Sequence, residues 1–203
     1  MALNVVSNLE SLGVEVDYLT NITEIEKVRY VDNKTNQMLL RVDKNDECER
    51  CNLDNIVWDN YDIVVISDYN KGFLTKNDIS NICKLHNCVF IDTKKELGSW
   101  IHNVRYIKLN QYEYKNNKDY IIKHNDIFKD KLIVTYGERG CYYQKKLYKP
   151  KVTIEVKDVC GAGDTFLAGL IVHMLKHNDI EYAIDFAQEC ASEVVSKKGV
   201  VVV

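Results

Sequence analysis

No run of 18 apolar residues occurs in the 203-residue chain, which excludes a transmembrane helix. The N-terminus has no basic stretch followed by an apolar one, so no signal peptide is expected and the expected compartment is the cytoplasm. A surplus of one charge sign is lacking as well. The 27 Lys and Arg against 30 Asp and Glu leave a net charge of −3, with nothing to draw nucleic acid or a membrane surface. Only one proline is present, and with the many Asn, Lys and Tyr residues it reflects an AT-rich coding sequence more than a function. Repeats, linkers and low-complexity tracts are missing. What is there, 46% hydrophobic and 28% charged residues, is the composition of one globular domain with a real core.

An even set of pairing cysteines is lacking too. Seven are scattered through apolar stretches, which suits a reducing compartment. Cys48-Glu49-Arg50-Cys51 has Cys-x-x-Cys spacing, with Cys83 and Cys88 further on. Zinc would want a tighter second pair, and thioredoxin chemistry a helix start after a strand, so neither role is expected.

The chain is organised around Asp158-Val159-Cys160-Gly161-Ala162-Gly163-Asp164-Thr165. An apolar strand, Val152 to Val156, precedes it, and an apolar helix from Ala162 to His177 follows. Small residues let the backbone approach a ligand, and a helix N-terminus offers unpaired N–H groups at the positive end of its dipole. Phosphate binds there. A carboxylate at the same spot, Asp164, can take the proton of an alcohol attacking that phosphate. The plainer reading is a tight turn with an aspartate cap.

Leu3, Val6, Leu9 and Leu12 predict a first helix ended by Gly13, and Val14 to Leu19 alternates as a strand. Lys27–Val31 and Met38–Val42 flank Asp32-Asn33-Lys34-Thr35-Asn36, a hairpin projecting as a lid or a contact for a second copy. Short apolar runs follow at 63–66, 89–91, 106–109 and 132–134, and Thr75 caps a helix through Leu85. Such runs, separated by crossovers, predict a mainly parallel α/β sheet flanked by helices, with a small β-hairpin lid at about 24–43. Cys141–Tyr143 and Val152–Val156 read as an antiparallel pair. A helix over 180–197 and a last strand, Val200–Val203, complete the expected domain, 1–203.

Asp158 to Asp164 resembles the C-terminal signature of the ribokinase-like (PfkB) carbohydrate kinases, Asp-Thr-x-Gly-Ala-Gly-Asp. The loops that follow the strands fit that resemblance. Ser67-Asp68-Tyr69-Asn70-Lys71-Gly72 and Asp92-Thr93-Lys94 are similar to stretches of the bacterial heptose-phosphate kinases within the family. So is the ribbon, Lys27-Val28-Arg29 with Gln37 to Asp43.

The resemblance implies ATP-dependent phosphorylation of a sugar phosphate, heptose 7-phosphate first, with Asp164 as base. Gly161, Ala162 and Gly163 would hold the transferring phosphoryl group. The Asn-x-x-Glu of Asn110, Gln111, Tyr112 and Glu113 would sit by the triphosphate, with Mg2+ near Asn110 and Glu113. Thr135, Gly137 and Gly140 of a Thr-x-Gly-x-x-Gly loop would pack on the nucleotide, and Gln188 would wall the adenine. Lys198-Gly199 is similar to the last turn of relatives. Asn4, Arg29, Arg41, Asp68, Lys71 and Lys94 would bind the sugar phosphate.

The sequence departs from that pattern twice. Only Asn4 survives of a Gly-Gly-x-x-Asn, without the strand before it, and a Gly-Asp-x-x-Gly stretch is missing after Asn21. Hence an upstream start, a second chain that completes the site, or a compromised sugar site are all open. The alternative function is a non-catalytic nucleotide-binding remnant that serves as an interaction module. A nucleoside kinase is disfavoured by the Ser-Asp-Tyr-x-Lys-Gly loop.

Overall fold

The computed structural model describes residues 2–22, 25–35, 37–151, 156–197, 199 and 201–203. Two sheets are present among these residues. A six-stranded sheet has the order β3-β4-β5-β6-β7-β8, and a separate two-stranded ribbon pairs β1 (Glu26–Val31) with β2 (Met38–Lys44). Strands β3 (Val64–Asp68), β4 (Val89–Thr93), β5 (Tyr106–Asn110) and β6 (Leu132–Thr135) run parallel. The last two, β7 (Cys141–Tyr143) and β8 (Lys146–Tyr148), turn antiparallel.

Side-chain alternation sorts the strand residues into two cores. On one face Phe90, Tyr106 and Ile133 pack with α1 (Ala2–Ser11), α5 (Ala162–His177) and α6 (Ile180–Val195). On the other, Ile66, Ile91, Ile107 and Leu109 pack with α2 (Lys76–Leu85) and with Ile121 of α3 (Gln111–Lys123). Phe128 of the short α4 (Asn125–Phe128) closes that second core. Helix α2 starts where Thr75 and Asp78 form a reciprocal capping box, as its sequence predicts. Helices α5 and α6 touch at small residues. A methyl added at Gly169 would stand 3.0 Å from the Ala187 Cα and 3.2 Å from the Cys190 Sγ.

Four expectations are corrected. Residues 14–19 join no ladder among the described residues. Val14 and Val16 pack on the first core while Tyr18 and Leu19 stay exposed. One-sided burial therefore produces the alternation without strand pairing. Strand β7 pairs with Lys146–Tyr148, because a turn with positive φ at Gln144 and Lys145 brings the chain straight back. Val152 to Glu155, the expected partner, lie outside the described residues. So do Lys198 and Val200, while 201–203 join no ladder among those described. Ser67 and Asp68, expected in a loop, end strand β3.

Candidate active site

The ends of β3, β4 and β5 and the start of α5 meet at one point. Gly161 caps α5 with φ +84°, a backbone conformation that costs a side chain strain, and no side chain among the described residues caps this helix end. Asp158 instead binds back to the loop, accepting from the Cys160 N–H at 2.9 Å and the Gly199 N–H at 3.2 Å. The Cys160 N–H is the main reason its carboxyl is held below the usual carboxylate range. The first turn of α5 is thus left with its own N–H groups and with Asp164, which is 4% exposed. Asn4 of α1 donates to Asp164 Oδ2 at 3.2 Å, and the Tyr69 hydroxyl donates to Oδ1 at 2.9 Å. Burial and the charges of Asp164 and Asp92 push the Tyr69 pKa far up, so Tyr69 stays a donor.

Asp92 and Lys108 are register partners on β4 and β5, on the sheet face that packs against α5. Their side chains meet at 2.5 Å, both buried. The Lys108 Nζ also lies 2.9 Å from where a Gly163 Cβ would stand, so glycine leaves room for an ammonium at the helix N-terminus. Burial works against that charge, yet Asp92, Glu113 and Asp164 together raise the Lys108 pKa. The sequence reading did not single out Lys108, Asp92 or Tyr69 as site residues. A lysine within the apolar run Tyr106-Ile107-Lys108-Leu109 was the signal available.

Asn110 and Glu113 form a capping box at the start of α3. Asn110 Oδ1 accepts from the Glu113 N–H at 2.9 Å, and Glu113 Oε2 accepts from the Asn110 N–H at 2.8 Å. Asn110 Nδ2 donates to Glu113 Oε1 at 2.7 Å, and the Lys94 ammonium pairs with that same oxygen. Asn110 therefore acts through Glu113. Gln111 holds Arg139 at 2.6 Å, and Tyr112 is exposed.

The Thr135–Gly140 loop lies beside them. Thr135 Oγ1 donates to the Leu109 carbonyl at 3.3 Å. Gly137 has φ +60° and open space where a Cβ would be, whereas a Cβ at Gly140 would stand 2.0 Å from the Tyr148 carbonyl oxygen and 2.9 Å from Gln188 Oε1. Gln188 is buried, and that oxygen has no partner among the described residues.

The cations expected around a sugar phosphate are mostly engaged elsewhere. Arg41 is held by Asp43 at 2.5 and 2.6 Å on the exposed ribbon, and Lys71 pairs with Asp46. Arg29 stands opposite Arg41 in the ribbon and contributes to the lowered Asp158 pKa. Asp68 is committed beneath the site, to Lys95 at 2.9 Å and Thr93 at 2.6 Å. Of these expected cations, Lys94 alone is seen among the described residues to pair in the acidic centre, and Lys27 of the ribbon sits 5.4 Å from the Tyr69 ring centroid. Cys48 and Cys51 donate backbone N–H groups to Lys71 and Phe73, and burial pushes the Cys83, Cys141 and Cys190 thiols up to about 11, 12 and 11. No group of three metal-ligating side chains forms among the described residues.

Residues 4–202 match the pfkB family of carbohydrate kinases. The chain belongs to that family. The curated relatives include the bifunctional protein HldE of Nitratiruptor sp., 28% identical over 244 residues, covering 97% of this chain and 53% of that protein. HldE of Campylobacter fetus is 30% identical over 247 residues, covering 97% and 54%. The chain thus spans about half the length of the curated relatives it matches. Among solved structures, ribokinase of Thermotoga maritima superposes with a TM-score of 0.71 at 20% identity, covering 97% of this chain and 71% of that one. Ribokinase of Arabidopsis thaliana, solved with ribose and ATP, gives 0.66 at 18% identity, covering 86% and 64%. The fold is ribokinase-like: a mostly parallel six-stranded sheet flanked by helices, with a separate antiparallel hairpin.

Proposed function

We propose that this PfkB chain transfers the γ-phosphoryl group of ATP to a hydroxyl of a sugar phosphate, with heptose 7-phosphate the first candidate. The carrying observation is Asp164, a buried carboxylate in the first turn of an uncapped helix, beside the Lys108 ammonium at Gly163. That arrangement supplies a base for the attacking hydroxyl. It also supplies N–H groups and a cation for the charge on the transferring phosphoryl group.

Nucleotide binding suits the residues present. Gln188, packed beside Gly140, offers a buried acceptor without a partner among the described residues. Magnesium suits them too. It takes one or two carboxylates along with water and phosphate oxygens, and the Lys94 ammonium already stands in as a cation at Glu113. Glu113 and Asp92 would hold the metal and Asn110 would orient Glu113, while the bound metal would shield phosphate charge. The ribbon β1–β2 would be the lid, and its exposed Tyr30, Met38, Leu39 and Leu40 make it the candidate contact for a second copy.

The test is ADP release with a panel of free and phosphorylated sugars. Asp164→Asn should lower turnover by roughly 10²- to 10⁴-fold with nucleotide affinity retained. Unchanged turnover removes Asp164 from the role. A second reading, a nucleotide-binding remnant, is favoured by one observation: the matched HldE stretch of 244 residues is longer than the 203 residues here. ATP binding without ADP release for any sugar would select it.

A further inference from the structure

We propose that Lys94 is the resident counter-cation of the acidic centre, and that its ammonium and a divalent metal ion are alternative partners of the Glu113 carboxylate. The inference rests on the proposed nucleotide and metal site. Asp92, Glu113 and Asp164 are 6%, 6% and 4% exposed, and buried carboxylates need partners. Asp92 has Lys108, and Asp164 has the neutral donors of Asn4 and Tyr69. Glu113 has the Asn110 donors and Lys94.

The two lysines differ in one respect that decides their roles. The Lys108 side chain is 5% exposed and that of Lys94 is 35% exposed. Lys108 is locked between strand and helix. Lys94 reaches the carboxylates from the solvent side, 3.8 Å from Asp92 and 5.5 Å from the centroid of the Tyr69 ring that serves Asp164. Its main chain is fixed, with its N–H bonded to the Asp68 carbonyl at 3.0 Å, so only its side chain has to move.

Charge makes the two occupants exclusive. Three carboxylates against two ammonium groups leave one negative charge. A divalent ion added with Lys94 in place would turn the buried centre positive, whereas exchange for Lys94 leaves it neutral. Metal loading therefore releases Lys94, which is then available to an anionic group on whatever ligand the site holds.

The experiment titrates Mn2+ into the full chain without nucleotide or sugar, reading free Mn2+ by electron paramagnetic resonance. Lys94→Met should bind Mn2+ at least about tenfold more tightly than the parent. Lys94→Gln, which keeps a polar tip, should do the same. Lys71→Met, which removes a lysine paired elsewhere, should change nothing. Adding Glu113→Gln to Lys94→Met should abolish the gain. Affinities within twofold of the parent in both Lys94 variants overturn the proposal, as does a gain that survives Glu113→Gln. Failure of the kinase reading, with no ADP release from any sugar, is separate, because this measurement contains neither substrate.

Discussion

Gly140 offers the sharpest quantitative test, because a neighbouring glycine serves as its control. Gly140 has φ +91° and ψ −145°, a region that is essentially glycine-only. Alanine there carries roughly 1–3 kcal/mol of backbone strain. Its methyl would stand 2.0 Å from the Tyr148 carbonyl oxygen, which belongs to β8 and cannot swing aside as a side chain can. Relieving such a contact means shifting the strand, an overpacking cost of about 1–3 kcal/mol more. Gly137, three residues earlier, has φ +60° with nothing within 4 Å of its Cβ position, so alanine there meets only the left-handed penalty of roughly 1–2 kcal/mol. For a chain of this size, 1 kcal/mol is about 2–4 °C in Tm. Differential scanning calorimetry should place Gly140→Ala roughly 10 °C below the parent and Gly137→Ala within about 5 °C. The shifted β8 should also weaken ATP binding, since Tyr148 and Gln188 flank the same glycine. Equal melting temperatures for the two variants would refute the close approach at Gly140.

Three further outcomes follow from the buried polar groups. Lys108→Met leaves Asp92 buried and unpaired, so urea unfolding should show a loss of roughly 3–5 kcal/mol, partly recovered when Asp92→Asn is added. Asp78, bonded first by Arg50 and then by Thr75, has its pKa lowered to about 2. A lowered carboxyl contributes stability above its unfolded pKa and loses it as pH falls, here between about pH 4 and pH 2. Because Arg50 is 64% exposed, screening keeps that term to roughly 1 kcal/mol, and Arg50→Met should remove it from melts taken across the window. Gln188→Leu removes a buried acceptor that lacks a partner, so it should cost no stability, or add about 1 kcal/mol, while weakening ATP binding in calorimetry.

The fold was legible wherever local chemistry and burial agree. The runs at 63–66, 89–91, 106–109 and 132–134 are hydrophobic because both faces of the sheet are covered, and each is a strand. Thr75 announced α2 because a cap acts within one turn. The segment 14–19 was misread because alternation records which side is buried and says nothing about pairing. The β7 partner was misread because Gln144 and Lys145 take positive φ without a glycine to mark the turn. In the candidate site, Asp164, Asn110 and Glu113 were readable as motifs, whereas Lys108 and Asp92 meet only through sheet register and Tyr69 reaches Asp164 only from the loop after β3. Arg41 and Lys71 are expected as phosphate ligands from the resemblance of the ribbon and of the loop after β3, which carries no information about their neighbours in this chain. Their partners, Asp43 and Asp46, could be assigned only once the ribbon and its base were placed.

The contact between Gly169 and Ala187 bears on how this protein can move. The first turn of helix α5 carries Asp164, and α6 carries Gln188 beside Ala187. With no room for one methyl between them, the two helices cannot slide past each other without separating. The spacing between Asp164 and the buried Gln188 amide is thereby fixed, much as a caliper is fixed once its screw is tightened. The proposed lid, the ribbon, is by contrast free of that constraint: it shares no ladder with the six-stranded sheet among the described residues. A bulkier residue at 169 would loosen that caliper while leaving every group around Asp164 chemically intact.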